Sequence, residues 1–238
     1  MHKTLNHRTD PFPIQYPQHQ NDELGKLIPF LDLKLPVFFP SISSVKTNLK
    51  PVEYLKLLVA VGHPQFLVSA HDLFYAPTED KEEIHSLLVS AKRNGQIVLL
   101  DSGNYEAYWH KANWSEEMFF SVLDDFESFS VSFSFDEQSP PPDVEKICQI
   151  TKERAGRHLE HIGDAIYSPI IHAPKELLSD SVVGVAQSIN PQMIAVPERL
   201  LGHGVLERIV TLRNIRKQLN KLDRYRCIST VLFYCSRG

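Results

Sequence analysis

Acidic and histidine side chains recur at the ends of short apolar runs in this chain. Carboxylates and imidazoles are the groups that most often exchange protons or bind ligands in enzymes. Their repeated position after an apolar run therefore predicts one shared polar site. The polar residues at these positions are Ser69, His71, Asp72, Asp101, Asp136, His172 and Glu198.

Two chemistries fit this set of side chains. Two carboxylates that face one cavity can act at a glycosidic carbon, where one handles the proton of the leaving group and the other stabilises the cationic centre. The same region also offers a ligand set for a divalent metal, consisting of His71, Asp101, Asp136 and His172. No HxH or HExxH spacing accompanies that set, so the glycosidic chemistry is the preferred interpretation.

The elements that must position these residues are predicted by an alternation of β-rich and helical segments. Apolar positions at three-to-four spacing indicate helices between the strands. Strands that alternate with helices favour a parallel sheet, and six or seven such units favour a (β/α)8 barrel with its site at the carboxyl ends of the strands. The predicted strands are 36–40, 65–70, 96–101, 130–136, 167–173, 193–198 and 227–234.

Composition limits the class of protein. The 238 residues carry a net charge of −4, which does not by itself indicate a nucleic-acid binder. Three cysteines without paired spacing are typical of a reducing, cytoplasmic environment, and no apolar run approaches the roughly 20 residues of a membrane span. We expect residues 1–23 to form a flexible arm and residues 24–238 a single domain.

Several segments of the chain resemble the tRNA-guanine transglycosylase family of the queuine and archaeosine type, which includes relatives that insert 7-deazaguanine into DNA. LLDSGNYE (99–106) is similar to the family's TDSGGFQ, and FSFDEQSPPP (133–142) is similar to AFDECTPYP. FLVSAHDLFYAP (66–77) resembles the NTYHL segment, and LPVFFPSISSVKT (35–47) resembles the first strand and its turn. ERAGRHLEHI (153–162) is similar to the helix before the family's GIVQGG, and the order and spacing hold over about 35–212.

This resemblance implies base exchange, in which guanine in tRNA or DNA is replaced by a 7-deazaguanine. Asp101 would be the acid and base, and Asp136 would bind the Watson–Crick edge of the heterocycle. Ser102, Gly103 and Tyr105 would line the base pocket, with Tyr105 in place of an aromatic residue that stacks on the base. The family also forms dimers, so the resemblance implies pairing with a second copy or with a different chain.

Two further positions depart from the family's motifs. His172 stands where the family has the glutamine of GIVQGG, and VPERLLGHG replaces GGLAVGE. We expect Glu198 to help form the floor of the pocket, as a pair with Arg199.

Trp109 and Trp114 flank HKAN, where they either stack on bases or fill a rim or core position.

The family's later motifs are not found in this sequence. These are the LGxGxP…GxDxFD region that carries the nucleophilic aspartate, and the CxCxxC zinc site with its distant histidine. The resemblance dissolves after about residue 222, so we expect a barrel that is incomplete at its carboxyl end, without a cofactor. Three hypotheses remain: a base-exchange enzyme, a non-catalytic or inactive base-binding homologue, and a metal-dependent barrel hydrolase.

Overall fold

A computed structural model describes residues 39–45, 48–135 and 139–222, together with the backbone of 231–234. The predicted arm at 1–23 and the predicted site residue Asp136 lie outside the described residues. The strands are β1 (Ser41–Ile42), β2 (Gln65–Ser69), β3 (Ile97–Asp101), β4 (Val131–Phe133), β5 (Ile166–Ser168), β6 (Ile194–Pro197) and β7 (Val231–Tyr234).

Helices connect these strands, as the apolar spacing predicts. Local chemistry favours the start of some of these helices: Asp143 accepts a hydrogen bond from the backbone N–H of Lys146 at 2.8 Å, and Pro51 occupies the first turn of its helix. The helices are α1 (Pro51–Ala60), α2 (Ala70–Phe74), α3 (Thr78–Arg93), α4 (Asn104–His110), α5 (Glu116–Asp125), α6 (Val144–Leu159), α7 (Leu178–Ile189), α8 (Glu198–Leu201) and α9 (Val205–Leu219), with a 3-10 turn at Lys175–Leu177.

The strands are parallel and are added in chain order. A five-stranded sheet runs β1-β2-β3-β4-β5, and β6 pairs with β7 in a second parallel pair. A parallel bridge between Ile170 and Ala195 joins the segment after β5 to β6. The chain is therefore a mixed α/β protein with a parallel sheet, as the alternation predicts.

The two faces of the sheet have different neighbours. Val98 and Leu100 of β3 pack in a core shared with the helices, whereas Ile97 and Leu99 point to the opposite face because side chains alternate along a strand. There they join a cluster of buried residues that comes from the strands and their flanking residues, which we call the strand-lined core. Its members are Ile97, Leu99, Val131, Phe133, Ile166, Ile170, Met193 and Ala195, with Phe39 and Leu67 packed against them.

Three strands differ in position from the prediction. The fourth is predicted over 130–136 but covers Val131–Phe133. The first strand is predicted at 36–40, of which only 39 and 40 are described, and the observed pairing is at Ser41–Ile42, where the partners in β2 are Leu67 and Val68. The fifth was expected at 167–173 but ends at Ser168, since Pro169 has no N–H to donate to a ladder. The carbonyl of Pro169 still accepts the N–H of Ala195 at 2.9 Å, which keeps β5 and β6 adjacent.

No helix in the described part of the chain has the length and apolar character needed to span a membrane.

Candidate functional site

Asp101 lies at the carboxyl end of β3, on the face of the strand-lined core. It is the register partner of Ser69 at the end of β2, and the two residues are 3% and 2% exposed. Alternation along β3 places the Asp101 side chain on the same face as Leu99. The predicted acid is therefore buried at the edge of the sheet where the parallel strands end.

Gly103 allows the chain after β3 to lie against the start of α2. Its φ is +79°, in the left-handed region, and a Cβ at this position would lie 2.4 Å from the backbone nitrogen of His71. No side chain fits that space without moving the backbone. The glycine thus brings the segments that follow β2 and β3 into direct contact.

Ser102 contributes a buried hydroxyl to this turn. The residue is fully buried, and no group within the described part of the chain hydrogen-bonds to its Oγ. Its carbonyl accepts the indole N–H of Trp114 at 2.9 Å. Trp114 therefore supports the turn through this hydrogen bond, and its side chain packs against the core shared with the helices. This favours the core interpretation of Trp114 over stacking on bases.

Glu106 is a buried acid that the sequence analysis did not identify. It lies on α4, is 3% exposed, and accepts hydrogen bonds from Ser43 Oγ at 2.5 Å and from Ser69 Oγ at 2.9 Å. The two serines lie at the ends of β1 and β2. Glu106 therefore connects the ends of three successive strands, β1, β2 and β3. The only signal for this role in the sequence is the position of Glu106, five residues after Asp101.

A second buried acid, Asp72, organises the segment after β2. Its carboxylate accepts the N–H and the Oγ–H of Ser44, both at 2.6 Å, and lies 3.2 Å from His71 Nδ1. Ser44 Oγ also lies 2.9 Å from His110 Nε2. The His71 and His110 rings stack with centroids 5.5 Å apart. This network joins the end of β1 to α2 and α4.

Tyr105 lies on α4 close to the Asp101 turn. Its ring contacts Trp109 edge to face, with centroids 6.2 Å apart. Tyr105 is half-buried, whereas Trp109 is 51% exposed. The two tryptophans of the chain thus have different surroundings, since Trp114 supports the turn and Trp109 lies at the surface.

His172 follows β5 and lines a small pocket of its own. It is buried, and it follows by two residues Ile170, a member of the strand-lined core. Phe135, Tyr167 and Arg154 line the pocket with it, and Asp101 does not. Phe135 is the last residue described before the gap at 136–138.

Glu198 is not paired with Arg199 as expected. Its carboxylate forms an ion pair with Arg208 of α9, and Arg208 also donates to the carbonyl of Gly202 at 3.0 Å. Because Glu198 begins α8 directly after β6, the pair fastens the end of β6 to α9. The sequence analysis predicted Arg199 because it is the neighbour of Glu198 in the chain. The turn between α8 and α9 instead brings Arg208 back to Glu198.

Of the predicted site residues, Asp101, Ser102, Gly103 and Tyr105 share one turn and the helix after it. His172 and Glu198 lie after later strands, with separate contacts. The four proposed metal ligands include Asp136, so that set is only partly described. Among the described residues, no group of three or more His, Cys, Asp or Glu side chains is arranged to hold a metal ion.

Comparison with known proteins does not add a family to these observations. No protein-family model matches the chain, and no curated protein matches it.

Proposed function

We propose that this chain is a transglycosylase-like protein that exchanges guanine for a 7-deazaguanine in tRNA or DNA. Asp101 is the acid and base of the exchange. Ser102, Gly103 and Tyr105 form one side of the base pocket, and Asp136 and His172 belong to the other side. The described α/β architecture is compatible with this proposal, and the residue roles come from the resemblance of the DSG and FDE motifs.

The proposal includes a (β/α)8-type barrel. Its support is the addition of parallel strands in chain order from β1 to β5, followed by the bridge to β6. A doubly wound sheet reverses its strand order at the first strand, and no reversal occurs among the described strands. The strand-lined core also fits the interior of a barrel, where side chains come from strands alone.

The single observation that carries the functional proposal is the turn Asp101–Ser102–Gly103 at the carboxyl end of β3. This is the edge where barrel enzymes place their catalytic groups. The turn combines a buried acid with a hydroxyl that lacks a hydrogen-bond partner in the described part of the chain. Buried polar atoms are normally satisfied, so a polar ligand is the natural partner for Ser102 Oγ.

Asp101 has a defined part in the exchange. As an acid it donates a proton to the departing guanine while the bond between ribose C1′ and the base breaks. As a carboxylate it then removes the corresponding proton from the incoming base as the new bond forms. The proton count is balanced over the cycle, and no oxidant or reductant is needed.

The test uses labelled guanine with the purified chain and, separately, tRNA or double-stranded DNA. We expect label to enter one of the two polymers. Because general acid–base catalysis contributes about 10²–10⁴-fold, Asp101→Asn should lower the rate by at least about a hundredfold. Asp125→Asn, which changes an exposed acid at the end of α5, is the matched control and should retain the wild-type rate.

A non-catalytic base-binding protein is the second candidate, favoured by the missing GxDxFD motif. In that case no label is incorporated, but guanine or a 7-deazaguanine raises the midpoint of thermal unfolding of the wild type. Asp101→Asn should weaken that shift, and Asp125→Asn should not. Incorporation at equal rates by the wild type and Asp101→Asn would contradict the assigned role of Asp101 in both candidates.

A further inference from the structure

Exposed aromatic side chains lie on one face of α4. Tyr108 and Trp109 are 74% and 51% exposed, which makes them two of the most exposed aromatic residues in the described part of the chain. Tyr108 and Trp109 meet edge to face with ring centroids 5.6 Å apart, and Trp109 meets Tyr105 in the same way. We call Tyr105, Tyr108 and Trp109 the aromatic face of α4.

Helical spacing separates this face from the buried side of the same helix. Residues three and four positions apart share a helix face, which groups Tyr105 with Tyr108 and Trp109. Glu106 points inward to Ser43 and Ser69. One short helix therefore fastens the strand ends on its inner side and presents aromatic rings on its outer side.

The aromatic face lies close to the Asp101 turn. Helix α4 begins at Asn104, directly after Gly103. With a rise of about 1.5 Å per residue, Trp109 lies about 9 Å from Gly103 along the helix axis. If a polynucleotide is bound with one base at Asp101, a neighbouring nucleotide would lie near this face.

The charge of the exposed surface suits a polyanion. Glu106 is the only acid of α4, and both of its oxygens are bonded to buried serines. Lys111 follows the helix directly and is exposed, as is His110. The outer surface of this segment, residues 104–111, therefore carries aromatic rings and a cation without a free carboxylate.

We propose that the aromatic face of α4 stacks on unpaired nucleobases of a single-stranded polynucleotide, with Lys111 on a phosphate. Aromatic rings stack on every type of base, and a nearby cation adds sequence-independent attraction to the backbone. The inference rests on the proposed function for its choice of polymer. It deepens that function by placing the nucleotides beside the exchanged base.

The test measures binding of short, fluorescein-labelled single strands that contain no guanine, as RNA and as DNA, by fluorescence anisotropy. We expect the wild type to bind one or both. Because stacking on each base contributes to the affinity, the double variant Tyr108→Ala/Trp109→Ala should bind at least about tenfold more weakly than the wild type. Trp109→Phe keeps an aromatic ring and should bind within about threefold of the wild type.

Two further variants separate stacking from other effects. Val205→Ala/Leu206→Ala removes two exposed apolar side chains from α9 and should leave the affinity unchanged. Lys111→Gln should reduce the slope of log affinity against log salt by about one. All of the replaced side chains are exposed, so we expect each variant to fold, and circular dichroism melting curves check this.

Several outcomes would overturn the proposal. The wild type binding neither strand is one, and equal affinity of the wild type and the double variant is another. A third is a double variant that changes only the self-association of the chain in sedimentation, which would identify a protein-contact surface. Because a strand without guanine cannot undergo exchange, these results are independent of the incorporation assay.

Discussion

At the scale of single residues, the site depends on one close approach between backbones. Gly103 has no Cβ, so the turn after β3 can touch the backbone of His71. That contact holds Asp101 and Ser102 beside the end of β2. The small residue next to the acid is therefore required for the geometry of the acid.

Replacing Gly103 with alanine should destabilise the fold by more than the backbone conformation alone explains. Gly95→Ala is the matched control, because Gly95 has a φ of +73° but no atom within 4 Å of an added Cβ. We expect about 1–2 kcal/mol for Gly95→Ala from the left-handed conformation. Gly103→Ala should cost at least about 2 kcal/mol more, because its Cβ clashes with backbone. Urea unfolding measures both, and equal losses would contradict the prediction.

Sequence patterns predict some of the site residues and miss others for a physical reason. Asp101 could be placed at a strand end because QIVLLD is continuous in the chain. Glu106 could not be identified, because its role depends on Ser43 and Ser69, which are 63 and 37 residues away. Residues that act through distant contacts leave no local pattern.

At the scale of elements, strands with strong local patterns lie where they were predicted. Strands β2, β3 and β6 agree with the predictions to within one residue at either end. The bounds predicted for β4 and β5 were wrong, since β4 ends at Phe133 and Pro169 ends β5. The strand predicted at 36–40 lies largely outside the described residues, and pairing with β2 begins just after it, at Ser41. Element bounds therefore depend on partners as well as on local composition.

Helix α9 has two faces that should respond differently to substitution. Leu206 is 80% exposed, whereas Ile215 is fully buried in a core shared with α7. Ile215→Ala should lower the free energy of unfolding by about 2–5 kcal/mol, because it leaves a cavity. Leu206→Lys should change it by less than about 0.5 kcal/mol. Thermal and urea unfolding distinguish the two, and a large loss for Leu206→Lys would show that this face is covered.

At the scale of the whole molecule, one buried histidine joins several elements. His158 of α6 is 1% exposed, and its Nε2 lies 2.9 Å from Ser132 Oγ of β4. Its ring also contacts Phe119 of α5 and Tyr167 of β5. Burial, together with the nearby charge of His161, lowers the pKa of His158 to about 3.

The stability of the fold should therefore fall in mild acid. The unfolded histidine titrates near pH 6.5, so below that pH unfolding takes up a proton that the folded state does not bind. Between pH 7.5 and pH 5 this contributes a loss on the order of 2 kcal/mol, and the loss continues to grow down to about pH 3. Urea unfolding at both pH values measures this loss.

The substitution His158→Phe removes the contribution of this histidine to the pH dependence of stability, and it keeps a ring among the aromatic neighbours. The pH-dependent loss of this variant should be smaller by on the order of 2 kcal/mol. His85→Gln changes an exposed histidine and should behave like the wild type. A variant His158→Phe with an unchanged pH dependence would contradict the assignment.

The overall architecture was predictable only in part. The alternation of apolar strands and amphipathic helices predicted a parallel sheet, which the strand pairing confirms. Closure into a barrel is a global property that depends on strand pairs far apart in the chain, so it stays a prediction. The positions of the two acids relative to each other also stay a prediction, because Asp136 lies outside the described residues.

The contrast between the two tryptophans has a practical optical consequence. With Trp109→Phe, Trp114 is the only remaining indole, and its N–H is bonded to the carbonyl of Ser102. The ultraviolet emission of that variant would then come from a chromophore attached to the backbone that carries Asp101. A shift in the emission wavelength of Trp114 when guanine is added would report binding of the base at the Asp101 turn without any added dye.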